Sequence, residues 1–140
     1  FLDYDIHMVK ERAGEELAST SYSWKTLMEK GVTVSNGSDC PVELPDVLAG
    51  MQCAVTRRTL KDHIGPYLPK QQFTVQEALD SYTIAGAKAS FEEEVKGRIM
   101  PGMAADFVIL GQNPFETEPE KLSRIPVEAA YVGGTQVYHA

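Results

Sequence analysis

One aspartate, which follows a short β-branched run, has the surroundings of a catalytic group. Asp39 lies in the loop Gly37-Ser38-Asp39-Cys40-Pro41-Val42, directly after residues 32–35. Barrel enzymes keep their catalytic groups at the carboxyl ends of their strands. An aspartate in an Asn-Gly-Ser-Asp-Cys-Pro loop is also a common turn or capping residue. The local sequence therefore leaves both a catalytic and a structural interpretation of Asp39 open.

The histidines and cysteines, which could bind a metal or take part in nucleophilic catalysis, are scattered. They are three histidines and two cysteines: His7, His63, His139, Cys40 and Cys53. They show no metal-site spacing and no CxxC pair, and nothing in their positions supports a Cys–His nucleophile. The sequence also lacks the GxSxG, HExxH, HxH and phosphate-loop motifs. Because zinc needs three or four ligands, Asp39 by itself cannot form a zinc site.

The composition argues against several classes of function. The 140 residues amount to about one domain. Their net charge is −7, from 20 acidic and 13 basic residues. Nucleic acids and acidic membranes attract basic surfaces, and no apolar run approaches the roughly 18 residues of a membrane-spanning helix. We therefore expect a cytoplasmic protein with reduced thiols that binds neither nucleic acid nor membrane.

A helix and a strand are predicted to position Asp39. The spacing of apolar residues predicts a helix over residues 22–30, and Gly31 suits the position just after a helix end. A β-branched strand over residues 32–35 follows at once. A helix, one glycine and a strand form an αβ unit of the kind that builds parallel sheets.

Two more helices are predicted after the Asp39 loop. The first is largely apolar, begins at Asp46 or Pro45 and runs to residue 55, so it should be buried. The second follows Thr74, which forms a capping-box pattern with Glu77. Its apolar and small residues continue to residue 89 and suggest close packing against a neighbouring element.

The end of the chain has β character. Residues 97–110 have the pattern of a strand, a Pro-Gly turn and a second strand. Residues 127–138 carry the clearest hairpin signal in the sequence, with a Gly-Gly pair at the turn. We therefore predict a boundary near residue 93, between residues 1–92 and residues 93–140.

Several stretches, in order, resemble the C-terminal part of the amidohydrolase superfamily, of the amidohydrolase family 3 type. The Gly-Ser-Asp-x-Pro-Val motif and the Gly-x-Ile-x-x-Gly-x-x-Ala-Asp-Phe run are together specific, whereas either alone is a weak signal. The matching residues cover nearly the whole chain: Tyr22-Ser23-Trp24 to Gly31, Gly37 to Val42, Ala54-Val55-Thr56-Arg57, Thr74 to Thr83, Ala89-Ser90-Phe91-Glu92, Gly97-Arg98-Ile99, Pro101-Gly102, Ala105 to Leu110, and Val132-Gly133-Gly134.

This resemblance implies a composite α/β fold. The family has a distorted TIM (β/α)8 barrel with a metal centre at the carboxyl ends of its strands. A small β-sandwich, built from both chain termini, lies beside the barrel. The resemblance implies that residues 32–36 are the eighth barrel strand and that residues 46–91 are the helices after it. Residues 97–140 are then the C-terminal share of the β-sandwich.

The resemblance also implies a reaction. Asp39 matches the family's strand-eight aspartate, which binds the metal and handles protons for the hydrolytic water. The implied cofactor is a divalent metal, zinc, and the implied reaction is hydrolysis of amide or other C–N bonds in a small molecule. A metal ion lowers the pKa of bound water, and a neighbouring carboxylate moves its proton to the leaving amine. Ser38, Glu43 and Arg57 are candidates for supporting roles.

The family's other metal ligands have no counterpart in this sequence. They are a His-x-His pair, a bridging lysine or glutamate, and histidines on two further strands. A TIM barrel needs about 250 residues, so we expect a C-terminal fragment that alone holds no catalytic metal and has no turnover. Exposed apolar faces would then favour homo-oligomers. The alternative interpretation is a free-standing, non-catalytic α/β module with a structural or interaction role.

Overall fold

Helices occupy the first ninety residues, and a small sheet occupies the end of the chain. The computed structural model describes residues 2–140. None of the helices in that range is long and apolar enough to cross a membrane. The elements, in chain order, are the helices α1 (Leu2–Asp5), α2 (Val9–Ala18), α3 (Trp24–Glu29), α4 (Val47–Thr56), α5 (Val75–Tyr82) and α6 (Ile84–Ala89), the strands β1 (Phe107–Leu110), β2 (Val127–Val132) and β3 (Thr135–His139), and the 3-10 helices Pro69–Gln71 and Pro119–Arg124.

Helix α4 is the buried helix that the sequence predicted. Its N-cap is Asp46, whose Oδ1 accepts a hydrogen bond from the backbone N–H of Ala49 at 2.9 Å. This bond satisfies one of the free N–H groups at the helix start. Met51 and Ala54 lie on its buried face. The helix ends at Arg57, which has left-handed backbone geometry with φ of 55°.

The predicted capping box begins helix α5. Thr74 Oγ1 accepts from the Glu77 N–H at 3.2 Å, and Glu77 Oε2 accepts from the Thr74 N–H at 2.7 Å. Glu77 also forms an ion pair with Lys25 of α3. Burial works against the charged form of Glu77, but the hydrogen bonds from Lys25 and Thr74 outweigh it and lower the pKa of this carboxyl. The predicted continuous helix to residue 89 is interrupted at Thr83, which is not helical.

The hydrophobic core lies between α4 and α5. Its fully buried members are Met51, Ala54, Phe73 and Ala78. Partly buried apolar side chains surround them: Trp24, Met28, Val34, Leu48, Val55, Val75, Leu79 and Tyr82. A Cβ atom added to Gly50 of α4 would lie 2.0 Å from the hydroxyl oxygen of Tyr82. The two helices therefore approach closely because position 50 has no side chain.

The sheet is antiparallel, with strand order β1-β2-β3. The predicted hairpin of β2 and β3 is confirmed, and Gly133 and Gly134 at its turn both have positive φ. Asp106 Oδ1 accepts from the Gly133 N–H at 2.7 Å, which fixes the turn beside β1. The rings of Phe107 and Tyr131, on neighbouring strands, stack with centroids 4.6 Å apart. Such cross-strand aromatic pairs stabilise the register.

Two predicted strands are not formed. Residues 32–38 have no regular secondary structure, and within the described chain they make no ladder with a neighbour. A strand is held by hydrogen bonds to adjacent strands, and residues 2–140 offer none beside this segment. Residues 97–100 are likewise irregular, so only the second strand of the predicted strand-turn-strand pattern is observed. The part before residue 93 is therefore helical here, rather than α/β.

The two predicted parts of the chain are in contact. The 3-10 helix Pro119–Arg124 packs on α4 and buries Leu122 completely. The Ser123 N–H donates to the Oε1 of the buried Gln52 at 2.9 Å. Arg58 and Glu120 form an ion pair at 3.5 Å across the same contact. The division into residues 1–92 and 93–140 stays a prediction.

Candidate functional site

Asp39 lies in a tight turn with its side chain exposed. Its backbone is left-handed, with φ of 52°. Aspartate tolerates this geometry better than most residues. The Asp39 carbonyl accepts from the Val42 N–H at 2.9 Å, and the Ser38 carbonyl accepts from the Glu43 N–H at 3.2 Å. These bonds fix the backbone of the loop and leave the Asp39 carboxylate facing solvent.

The segment before this turn is tied to helix α5. The Asn36 N–H donates to the Ser81 carbonyl at 3.0 Å, and Asn36 Nδ2 donates to Ser81 Oγ at 3.0 Å. Ser81 is 1% exposed. Val34 packs against the hydrophobic core. Although residues 32–38 form no strand, these contacts fix their position relative to the helices.

A cavity of about 650 Å³ lies between residues 32–38 and helix α4. Its wall is mostly apolar, with polar groups contributed by Asn36, Ser38, Glu43 and Asp46. Ser38 and Glu43, two of the three predicted supporting residues, are thus brought to one cavity. Asp39 does not line it within the described chain, although it adjoins Ser38 in sequence.

Arg57, the third predicted supporting residue, lies in an aromatic cluster instead. Its guanidinium is fully buried. The guanidinium carbon Cζ lies 5.4 Å from the centroid of the Trp24 ring and 5.7 Å from the centroid of the Tyr67 ring. Arg57 Nε donates to the Tyr67 carbonyl at 2.9 Å, while Nη1 and Nη2 have no hydrogen-bond partner among residues 2–140. Burial lowers the pKa of Arg57 to about 10. The structure therefore does not bring Arg57 together with Ser38 and Glu43.

Asp39 is the one predicted metal ligand among the described residues. A carboxylate such as Asp39 fits zinc or another divalent cation as one ligand. The three histidines, His7, His63 and His139, are all exposed. The Nδ1 atom of His63 lies 3.9 Å from Oε2 of Glu120. Across residues 2–140, no three histidine, cysteine or acidic side chains lie close enough together to hold an ion. These residues alone do not fit a complete metal centre.

Two contacts of the helical part have no signal in the sequence. Asn36 and Ser81 are 45 residues apart, and such a long-range pair has no local pattern. The aromatic neighbours of Arg57 come from α3 and from the loop that holds Tyr67, so they too have no local pattern. In both cases the contact depends on how the helices pack.

Comparisons of the sequence and of the fold with known proteins point to the same family. A sequence model described as the amidohydrolase family matches residues 1–138. YtcJ of Bacillus subtilis (strain 168), named as an amidohydrolase, is 34% identical over 139 residues, which are 99% of this chain and 26% of that protein. The N-substituted formamide deformylase of Arthrobacter pascens is 32% identical over 114 residues, which are 81% of this chain and 21% of that protein.

A solved structure has a similar fold. The crystal structure of an amidohydrolase from Thermotoga maritima MSB8 matches with a TM-score of 0.62 and 24% identity. The match covers 85% of this chain and 26% of that one. The chain thus spans about a quarter of the length of the relatives it matches.

Proposed function

Because this chain belongs to the amidohydrolase family, we propose that it is the C-terminal portion of a metal-dependent hydrolase. The substrate class is an amide or another C–N bond in a small molecule. The relative named N-substituted formamide deformylase, at 32% identity, supports this class. The match covers 26% of the length of YtcJ, which supports a longer protein. In it, residues 32–36 would find the neighbours that make them the eighth strand of a distorted TIM barrel, and residues 93–140 would belong to the β-sandwich.

The observation that carries the proposal is the geometry of Asp39. Its carboxylate is exposed on a turn whose backbone is hydrogen-bonded on both sides, and the segment before it is tied to α5. Asp39 would hold the metal as one ligand, with the remaining ligands outside this chain. A bound divalent ion, proposed to be zinc, would supply the Lewis acid that lowers the pKa of the attacking water.

The Asp39 carboxylate does the proton chemistry in this proposal. It takes the proton from the attacking water and gives it to the departing amine, which is general base and then general acid catalysis by one group. The backbone bonds at Ser38 and Asp39 fix the loop from which this carboxylate projects.

Metal dependence and substrate class are tested together in the whole protein. We expect the purified protein to contain stoichiometric zinc or another divalent metal and to release amine from at least one member of a panel of N-acyl and formamide compounds. Chelation should remove the activity, and zinc should restore it. Activity that persists in metal-free protein would contradict the proposal, as would a protein that hydrolyses only esters or phosphates.

The 140-residue chain alone is proposed to be inactive and to associate in solution. Large apolar side chains around the loop and cavity are 43–82% exposed: Leu27, Val32, Val42, Leu44 and Val47. Apolar surface of this extent favours self-association. We expect light scattering after size-exclusion chromatography to give the mass of a dimer or larger assembly. A monomer that also hydrolyses the panel substrates would contradict both statements.

A further inference from the structure

We propose that the side-chain pair Asn36–Ser81 positions Asp39 for catalysis. This inference rests on the proposed role of Asp39 in the whole hydrolase. Asn36 and Ser81 are positioning residues here, because they act through the backbone of the Asp39 loop and do not touch the reacting atoms.

Two hydrogen bonds join the same two residues. The Asn36 backbone N–H donates to the Ser81 carbonyl at 3.0 Å, and the Asn36 side-chain amide donates to Ser81 Oγ at 3.0 Å. Ser81 Oγ itself donates to the Ala78 carbonyl at 2.7 Å. Since that bond uses the one hydroxyl proton, only the lone pairs of Oγ remain for Asn36. The pair therefore has one satisfied orientation.

Burial strengthens this connection. Ser81 is 1% exposed, so water does not compete for its hydroxyl or its carbonyl. A buried polar group that loses its partner destabilises the fold, because it cannot turn to water instead. Helix α5 is itself held by the capping box at its start and by its packing on α4. Ser81 is therefore held in a fixed position relative to α4.

The connection reaches Asp39 because the intervening chain is short and its turn is closed. Within the described chain, Asn36 makes the hydrogen bonds that tie residues 33–39 to a helix. Asp39 follows three residues later, where bonds from the Val42 N–H to the Asp39 carbonyl and from the Glu43 N–H to the Ser38 carbonyl close the turn. The turn moves with Asn36, so losing the Ser81 bond would displace the Asp39 carboxylate. Small displacements of a catalytic group lower turnover strongly, by up to about a hundredfold for 1 Å.

The test compares three variants of the whole hydrolase. Ser81→Ala and Asn36→Ala each remove the side-chain bond between the pair. Thr83→Ala is the matched control, since the Thr83 hydroxyl donates its hydrogen bond to the Leu79 carbonyl at 2.8 Å on the same helix end, and not to Asn36. Turnover, substrate affinity, metal content and backbone hydrogen exchange are measured for each.

We expect both pair variants to lower kcat about tenfold, with KM within about twofold and metal content retained. Exchange of the Asn36 amide should become faster in Ser81→Ala and stay unchanged in Thr83→Ala. A change in kcat and exchange no larger than that of Thr83→Ala would overturn the inference. If Ser81→Ala does not fold, the inference is tested with Asn36→Ala, which changes a half-buried position. Its kcat and the exchange of the backbone amide at position 36 are then the two measurements.

The proposed function fails by a different result. If Asp39→Asn leaves activity unchanged, Asp39 is not the proton-transfer group, whatever the pair variants do. If Asp39→Asn removes activity while the pair variants keep full kcat and slow Asn36 exchange, the role of Asp39 stands and the positioning role of Asn36 and Ser81 is wrong.

Discussion

Replacing Asp39 by asparagine should reduce kcat of the whole hydrolase by about a thousandfold, the order of magnitude contributed by a general base. Asparagine keeps the size of the side chain and also tolerates the left-handed backbone at φ of 52°. It removes the negative charge and the proton acceptor. A steady-state assay with the best substrate of the panel measures this loss.

The folded structure should survive this change. The side chain of Asp39 is exposed and makes no hydrogen bond or ion pair in the described part of the chain. The unfolding temperature of Asp39→Asn should therefore match that of the parent. Asp62→Asn, at another exposed aspartate, is the charge-matched control and should keep full activity. Loss of less than tenfold for Asp39→Asn would remove Asp39 from the mechanism.

Replacing Arg57 by alanine should lower the free energy of unfolding by about 3 kcal/mol, as expected for truncation of a large, fully buried side chain. The variant loses contacts with the Trp24 and Tyr67 rings and the hydrogen bond to the Tyr67 carbonyl. Part of this loss is offset, because a buried charge with two unpartnered nitrogens is itself costly. Denaturant unfolding of the variant and of the unsubstituted protein measures the difference in the free energy of unfolding.

Methionine at the same position separates the two effects. Arg57→Met keeps much of the buried volume and removes the charge, so it should cost only about 1 kcal/mol, since apolar replacements of buried charges are often nearly neutral. Arg98→Ala, at an exposed position, is the control and should change stability by less than about 0.5 kcal/mol. An Arg57→Ala variant as stable as Arg98→Ala would show that the aromatic cluster contributes nothing.

Features set by neighbouring residues could be predicted from the sequence. Asp46 begins α4, Thr74 and Glu77 form their capping box, and the Gly133-Gly134 turn joins β2 to β3, all as expected. Each depends on hydrogen bonds or backbone freedom within a few residues. The family resemblance was equally accessible, because its motifs are contiguous and occur in a fixed order.

Features set by distant residues could not be predicted. The β-branched residues 32–35 predict a strand, but a strand exists only where another chain segment completes its ladder. The pairing of Asn36 with Ser81 and the burial of Arg57 depend on the arrangement of α3, α4 and α5. The Gly-Ser-Asp-x-Pro-Val motif identifies Asp39 as a candidate catalytic residue. The contacts that hold its loop depend on the packing of the helices.

The close approach at Gly50 has a consequence for how this sequence can evolve. With the Tyr82 hydroxyl 2.0 Å from where a Cβ would stand, any side chain at position 50 must displace that ring. A homologue with alanine or serine at position 50 therefore needs a smaller residue at position 82, a different orientation of the Tyr82 ring, or a shift of α5 away from α4. Positions 50 and 82 should covary: glycine should accompany tyrosine, and larger residues at 50 should accompany shorter ones at 82.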